Sequence, residues 1–320
     1  MAWFVGSLIA APARAQAAPI HFGILPIGSA AESLNQWRPL LDDLQQQLGR
    51  PVETVSVSSY SGLSSAIGAQ RVDVAFLSGR LAVEAVKHQH MHVFAQFVRS
   101  DGAAGNVAML VVRSDGSIHS VDDLLAKPGH WRYARSEALS VTGYVMPEAY
   151  VFAPHGRNSD TFFANVQVGG HQANLLALAN RDADVASSNN PDMDLFRRSF
   201  PSEAAQLRVI WRSALIPSGV LVVRDGLAPA LRQRLTDFML GYGSAAGEEG
   251  VRQRLRLARI PDLGGFAAQS NHVLQPFVDM HYALLRQQAE HSQWVSPQDK
   301  HAKLAQIEQD YQQDSLHLRP

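Results

Sequence analysis

Val72-Asp73-Val74-Ala75-Phe76-Leu77-Ser78-Gly79 sets a short apolar run directly against a serine–glycine pair. The run reads as a buried strand and the pair as the opening of a helix. Upstream, Ile20 to Pro26 reads as a strand ended by proline. Glu32 to Leu48 places Leu34, Trp37, Leu40, Leu41, Leu44 and Leu48 at helical spacing before Gly49. Pro51 to Ser58 reads as a further strand, and Ser59-Tyr60-Ser61-Gly62 leads into a helix ending near Ala69. Strand alternating with helix at this spacing predicts a mostly parallel sheet covered on both faces. Ligands of such sheets sit beyond the carboxyl ends of the strands, where Tyr60 and Ser78-Gly79 fall.

Downstream, Val93 to Arg99 and Val107 to Arg113 read as strands, and a second alternating unit then begins. Its strands are Trp131–Ala134, Asn165–Val168 and Asp184–Ser187, with helices over Thr142–Tyr150 and His171–Asn180. Leu207–Trp211 and Gly219–Val223 return as strands, and Pro229–Tyr242 is an amphipathic helix. From 266 to 320 the chain is polar, with thinly spaced apolar residues. It is expected to form a helical tail on the surface or against a partner subunit, with a homodimer as the corresponding oligomer.

The 320 residues are 46% hydrophobic and 18% charged with formal net charge −1, enough for two lobes and without bias toward nucleic acid or anionic membrane. The chain has no cysteine, which excludes disulfide and thiolate chemistry. Trp3 to Ala11 is apolar, and Ala13-Arg14-Ala15 and Ala15-Gln16-Ala17 both fit a small-x-small cleavage site. Residues 1–17 are therefore expected to be a secretory signal peptide, with a periplasmic mature protein, although no Lys or Arg precedes the apolar run.

Leu139-Ser140-Val141-Thr142-Gly143-Tyr144 heads a helix and carries two hydroxyls and a glycine in its first turn. Free amides, hydroxyls and the positive end of the helix dipole together suit an anion with several oxygens. The plainer alternative is that Ser140 is an N-cap. Enzyme signatures are missing: there is no Gly-x-Ser-x-Gly elbow at Ser140, no phosphate-binding Gly-x-x-x-x-Gly-Lys loop and no His-Glu-x-x-His. His88, His90 and His92 alternate, but compositional alternation alone does not make a metal site. No catalytic residue, metal or cofactor is expected.

In order and spacing these pieces resemble the phosphate/phosphite/phosphonate substrate-binding proteins of ABC importers, over about Ile20 to Leu240. The resemblance rests on Phe22-Gly23-Ile24-Leu25-Pro26, Trp37-Arg38-Pro39-Leu40 and Val72-Asp73-Val74-Ala75. It continues through Ser140-Val141-Thr142-Gly143, Gly169-Gly170-His171, Val185 to Asn190 and Trp211 to Pro217. It implies an α/β, two-lobed periplasmic binding protein of type II-like form, each lobe a mostly parallel sheet flanked by helices, joined by a two-crossing hinge. Lobe one is expected over 20–112 plus 221–265 and lobe two over 113–220. Carried over residue by residue, the resemblance implies oxyanion contacts from Ser140, Val141, Thr142, Gly143 and His171. Tyr60 closes from the first lobe, Ser78 adds a hydroxyl, and Arg80 stands nearby. Asn189 falls in the second-lobe stretch.

Family members that bind an aminoalkylphosphonate place a second tyrosine and two carboxylates around the ammonium. Asn106 stands in place of that tyrosine, Ile216-Pro217-Ser218-Gly219 lacks the aspartate often found there, and Asp192 alone is left as a carboxylate. Phosphite or a small alkylphosphonate is therefore the expected ligand, ahead of 2-aminoethylphosphonate, and an ABC permease the expected membrane partner. The alternative is a sensor that presents its closed form to a membrane receptor such as a histidine kinase.

Overall fold

The structure of the protein is a computed structural model that describes residues 17–25 and 29–319. The expected signal segment up to residue 16, and Pro26 at the end of the first strand, lie outside the described residues.

The chain first lays down β1 (Ile20–Ile24), β2 (Val52–Ser56), β3 (Val74–Leu77) and β4 (Met91–Arg99). It crosses through β5 (Gly105–Asn106) and builds β6 (Ala108–Arg113), β7 (Arg132–Arg135), β8 (Asn165–Val168), β9 (Val185–Asn189) and β10 (Leu207–Arg212). It returns through β11 (Ile216–Pro217) to β12 (Val220–Arg224) and β13 (Leu263–Ala268). The result is a six-stranded sheet in the order β13-β4-β12-β3-β1-β2 and a five-stranded sheet in the order β10-β6-β9-β7-β8. Helices cover both, so the α/β two-lobed reading holds.

Within each lobe the βαβ units run parallel, and the strand that enters straight from a crossing runs against them. β12 is antiparallel to β3 and β4, and β6 to β9 and β10. The crossings themselves pair as a short antiparallel ribbon, Ile216 opposite Asn106 and Pro217 opposite Gly105. A Cβ at Gly105 would stand 1.9 Å from the Ile216 carbonyl oxygen, so only glycine lets the two crossings pair this closely.

β6 corrects the expected lobe boundary. Ala108–Arg113 belongs to the second sheet, so the first crossing precedes residue 108 instead of falling at 112. Ala108 to Val112 is an unbroken buried apolar run, which either sheet could accept, and it carries no mark of which lobe it joins.

The first-lobe helix Ala30–Leu48 shows why these elements form. Ser29 caps it by accepting from the Glu32 amide, Gly49 ends it with φ 65°, and Trp37, Leu40, Leu41 and Leu44 bury one face on the sheet. The tail forms two helices, Gln275–His291 and Pro297–His317. Phe277, Val278 and Tyr282 join the first-lobe core, while Met280 and Leu284 pack against Val145, Ala149 and Ala153 of the second lobe. The tail thus lies against both lobes of its own chain, and its thin apolar spacing reflects helices wet on their outer face. Its docking to lobe one includes a buried pair, Lys87 Nζ to Asp314 at 2.6 Å, with the Tyr282 hydroxyl donating to the same carboxylate. Among the described residues no helix is long and apolar enough to cross a membrane.

Candidate functional site

The carboxyl ends of β3 and β9 face each other across the cleft, and a cavity of about 90 Å³ lies between them. Lobe one contributes Leu25, Tyr60, Phe76, Ser78 and Gly79 to its wall. Lobe two contributes Val141, Thr142, His171, Asn189, Pro191 and Asp192, and the crossings add Asn106, Ile216, Pro217 and Gly219. Of the ten residues expected at the site, eight share this one cavity. Ser140 and Gly143 stand behind it.

Their position is a consequence of the turn. Ser140 is fully buried, and its Oγ accepts from the Gly143 amide at 3.1 Å. Ser140 is therefore the cap, and the Gly143 N–H is already used. What Gly143 supplies is space: a Cβ there would meet Ser136 Oγ at 2.4 Å and the His171 ring at 2.8 Å. The Val141 and Thr142 amides, first in the turn, have no intrahelical acceptor, and both residues line the wall.

Val141–Val145 and Glu148–Phe152 are π-helical instead of α-helical. Pro147 explains part of this, since it has no N–H to give to the carbonyl of Gly143 four residues back. That carbonyl accepts instead from Ser187 Oγ at 2.7 Å and from the Ser136 amide at 3.3 Å, tying the turn to β9 and to the end of β7. π-helical turns of this kind recur at functional sites.

Thr142 is the hub of the polar wall. Its Oγ1 accepts from Asn189 Nδ2 at 3.2 Å, and His171 Nε2 lies 3.2 Å from the same oxygen. On the other side of the ring, His171 Nδ1 is 3.5 Å from Ser136 Oγ and from the Ser187 carbonyl. With a proton on Nε2, His171 and Asn189 fill both lone pairs of the threonine oxygen, and its own O–H is left to donate into the cavity. Asn189 is itself fixed, its Oδ1 capping the next helix by accepting from the Asp192 amide at 2.9 Å.

On the opposite wall, Ser78 Oγ is buried and has no hydrogen-bond partner among the described residues. The ten-residue helix that starts at Gly79 has no side-chain cap, so its first amides also open toward the cleft. Burial pushes the Tyr60 phenol well above its ordinary range, a hydrogen bond with Ser140 opposes this, and the charges of Asp192 and Glu137 add to it. The phenol is neutral and able to donate. Asn106 is held by Arg99, whose Nη1 donates to its Oδ1 at 2.8 Å. Arg80 does not reach the wall and pairs with Glu84 at 2.8 Å.

Beneath the turn lies a polar layer that no local pattern in the chain foreshadows. Burial pushes the Glu148 carboxyl up to about 7, with bonds from Ser159 opposing and the Asp160 charge adding. The Arg135 guanidinium sits 4.7 Å over the Tyr144 ring and donates to Asp160 at 2.5 Å. Sequence reasoning also missed Phe277, which comes from the tail to close the cavity and occupies the space where a Gly79 Cβ would be, 2.3 Å from its ring. Glu137 was missed as well; its carboxylate bridges from lobe two to the amides of Tyr60 and Ser61. His92 Nδ1 is 2.6 Å from Asp225, and among the described residues no three metal-ligating side chains gather.

Comparisons with known proteins show the family of the chain. Residues 22–271 match the family described as ABC transporter, phosphonate, periplasmic substrate-binding protein. A phosphonates-binding periplasmic protein of Escherichia coli K12 is 32% identical over 304 residues, 94% of this chain and 88% of that one. The crystal structure of a binding-protein component of an ABC phosphonate transporter from Pseudomonas aeruginosa superposes with TM-score 0.88 at 30% identity, covering 94% of this chain and 97% of that one. A Prochlorococcus marinus protein solved with methylphosphonate shares the fold, with TM-score 0.69 at 16% identity over 82% of this chain and 96% of that one. The chain belongs to the phosphonate-binding family of periplasmic substrate-binding proteins of ABC transporters.

Proposed function

We infer that the protein captures a small organophosphonate in the periplasm and delivers it to an ABC permease in the inner membrane. The observation that carries this reading is the buried Ser78 hydroxyl, without a hydrogen-bond partner among the described residues, on a wall opposite Thr142 and His171. A buried hydroxyl without a partner costs about 1–3 kcal/mol, and an oxyanion bridging the lobes removes that cost. Three phosphonate oxygens match the available donors: the Val141 and Thr142 amides, the Thr142 hydroxyl, and Ser78 with the Gly79 helix behind it.

The apolar part of the wall argues for a carbon tail: Leu25, Phe76, Ile216 and Phe277 line the cavity, and a bare phosphite or phosphate would leave them without an apolar partner. Asp192 on the wall adds a negative charge, which disfavours a bare dianion and suits a ligand with a cationic end. We therefore place 2-aminoethylphosphonate level with or above methylphosphonate, reversing the order expected from Asn106 and Ser218-Gly219 alone.

A thermal-shift panel tests the reading, because a ligand that binds only the folded protein raises its melting temperature. Both phosphonates should give large shifts, and phosphite, phosphate and sulfate small ones at equal concentration. Asp192→Asn should reduce the shift with 2-aminoethylphosphonate and spare that with methylphosphonate. Phosphate or sulfate stabilising as well as either phosphonate would overturn the ligand class. An Asp192→Asn effect equal for both phosphonates would overturn the role given to that carboxylate.

A further inference from the structure

The geometry points to Glu137 as a closure latch, a positioning residue that sets ligand affinity without lining the cavity; the inference rests on the ligand-binding reading above. The helix Tyr60–Gly68 belongs to lobe one, and its first turn presents orphan amides toward the cleft. Ser59 satisfies one of them, its Oγ accepting from Gly62 N at 3.0 Å, and the ordinary helical bonds begin with Leu63 N donating to the Ser59 carbonyl at 3.2 Å. Two more go to the other lobe. Tyr60 N donates to Glu137 Oε1 at 2.9 Å and Ser61 N to Oε2 at 3.0 Å. One carboxylate thus completes the cap of a helix in the opposite lobe, at the end of the dipole that favours negative charge. Apart from the paired crossings and the Val107–Asn190 bonds beside them, no other hydrogen bond to a main-chain amide passes between the lobes among the described residues.

Both ends of the latch are built into the site. The Tyr60 side chain lines the cavity. Glu137 stands at the foot of the oxyanion turn, its main-chain carbonyl accepting from Ser140 N at 2.9 Å. Glu137 itself is not on the cavity wall. These bonds exist only when the lobes meet, so they weight the closed form against the open one. Apparent affinity scales with the fraction of protein in the binding-competent form, whichever ligand is bound. Losing charge-assisted bonds of this kind should weaken every ligand by the same factor, about tenfold or more.

The chain lacks cysteine, so Gln46→Cys in lobe one and Asp182→Cys in lobe two, both exposed, allow clean donor–acceptor labelling for energy transfer. In that background, Glu137→Gln and Glu137→Ala should lower the closed fraction with and without methylphosphonate. Calorimetry should show Kd rising by one common factor for methylphosphonate and 2-aminoethylphosphonate, with ligand-free melting unchanged. Glu137→Asp keeps the charge but is too short to span both amides, and should fall between. An unchanged closed fraction overturns the latch, as does a Kd factor that differs between ligands, which would make Glu137 a ligand contact. A fall in ligand-free melting would make it a structural cap, and also overturns it. If the wild type binds neither phosphonate, the ligand reading fails, while the closed fraction of ligand-free protein still decides the latch.

Discussion

Replacing Glu148 with glutamine should make the protein more stable at pH 8 and leave it nearly unchanged at pH 4.5. Glu148 is 1% exposed, accepts from the Ser159 amide at 3.3 Å, and has a second oxygen with no partner among the described residues. Burial raises its folded-state pKa from 4.5 to about 7, so between those values the folded protein holds a proton that the unfolded chain has released. Stability rises with pH only where the unfolded state binds more protons; here it binds fewer, so stability falls as pH climbs from 4.5 to 7. At about 1.4 kcal/mol per pKa unit, the shift costs the ionised protein about 3 kcal/mol. For a protein of 320 residues that is roughly 4–6 °C in Tm. The glutamine side chain would keep an acceptor for Ser159 and never ionise. Melting curves at half-unit pH steps for both proteins check the reasoning: the difference should open between pH 5 and 7 and stay constant above. Parallel curves across that range would refute it.

Thr142→Ala should weaken phosphonate binding by about ten- to a hundredfold, since a hydrogen bond to a charged group contributes about 1.5–3 kcal/mol, and His171→Ala should weaken it less, because His171 acts on the ligand only through the Thr142 oxygen it positions. Calorimetry measures the loss, and ligand-free melting should barely move. Gly79→Ala should displace Phe277, because the new Cβ would sit 2.3 Å from its ring; weaker binding and a tail helix more open to hydrogen exchange are the readouts. Burial, together with the charges of Arg80 and Lys87, depresses His281 from 6.5 to about 3, against a smaller opposing effect from Asp314. The unfolded chain therefore takes up this proton first as pH falls below 6.5, and stability is lost toward pH 3; His281→Gln should flatten that acid limb of the melting profile.

What the sequence made legible was local. The Ser140 turn, the Gly170-His171 helix start and the Ser78-Gly79 corner each announce a helix N-terminus within a few residues, and strand–helix alternation places all of them at strand ends. What it hid depends on distant chain. Glu137 meets Tyr60 across 77 positions, and Phe277 reaches Gly79 only because the tail docks on its own lobes. β6 could not be assigned because a strand buried on both faces shows no alternation to say which sheet takes it. The roles of Ser140 and Gly143 were blurred because a cap and an anion site use the same residue types, and hydrogen-bond bookkeeping alone separates them.

A crystal structure of the complex with methylphosphonate tests the central claim most directly. The phosphonate should lie between the lobes, its oxygens within hydrogen-bond distance of Thr142 Oγ1, the Val141 and Thr142 amides and Ser78 Oγ, with the methyl group directed away from that donor cluster. A phosphonate bound away from Thr142 and Ser78, or a cavity closed without ligand while the anion sits elsewhere, would contradict it.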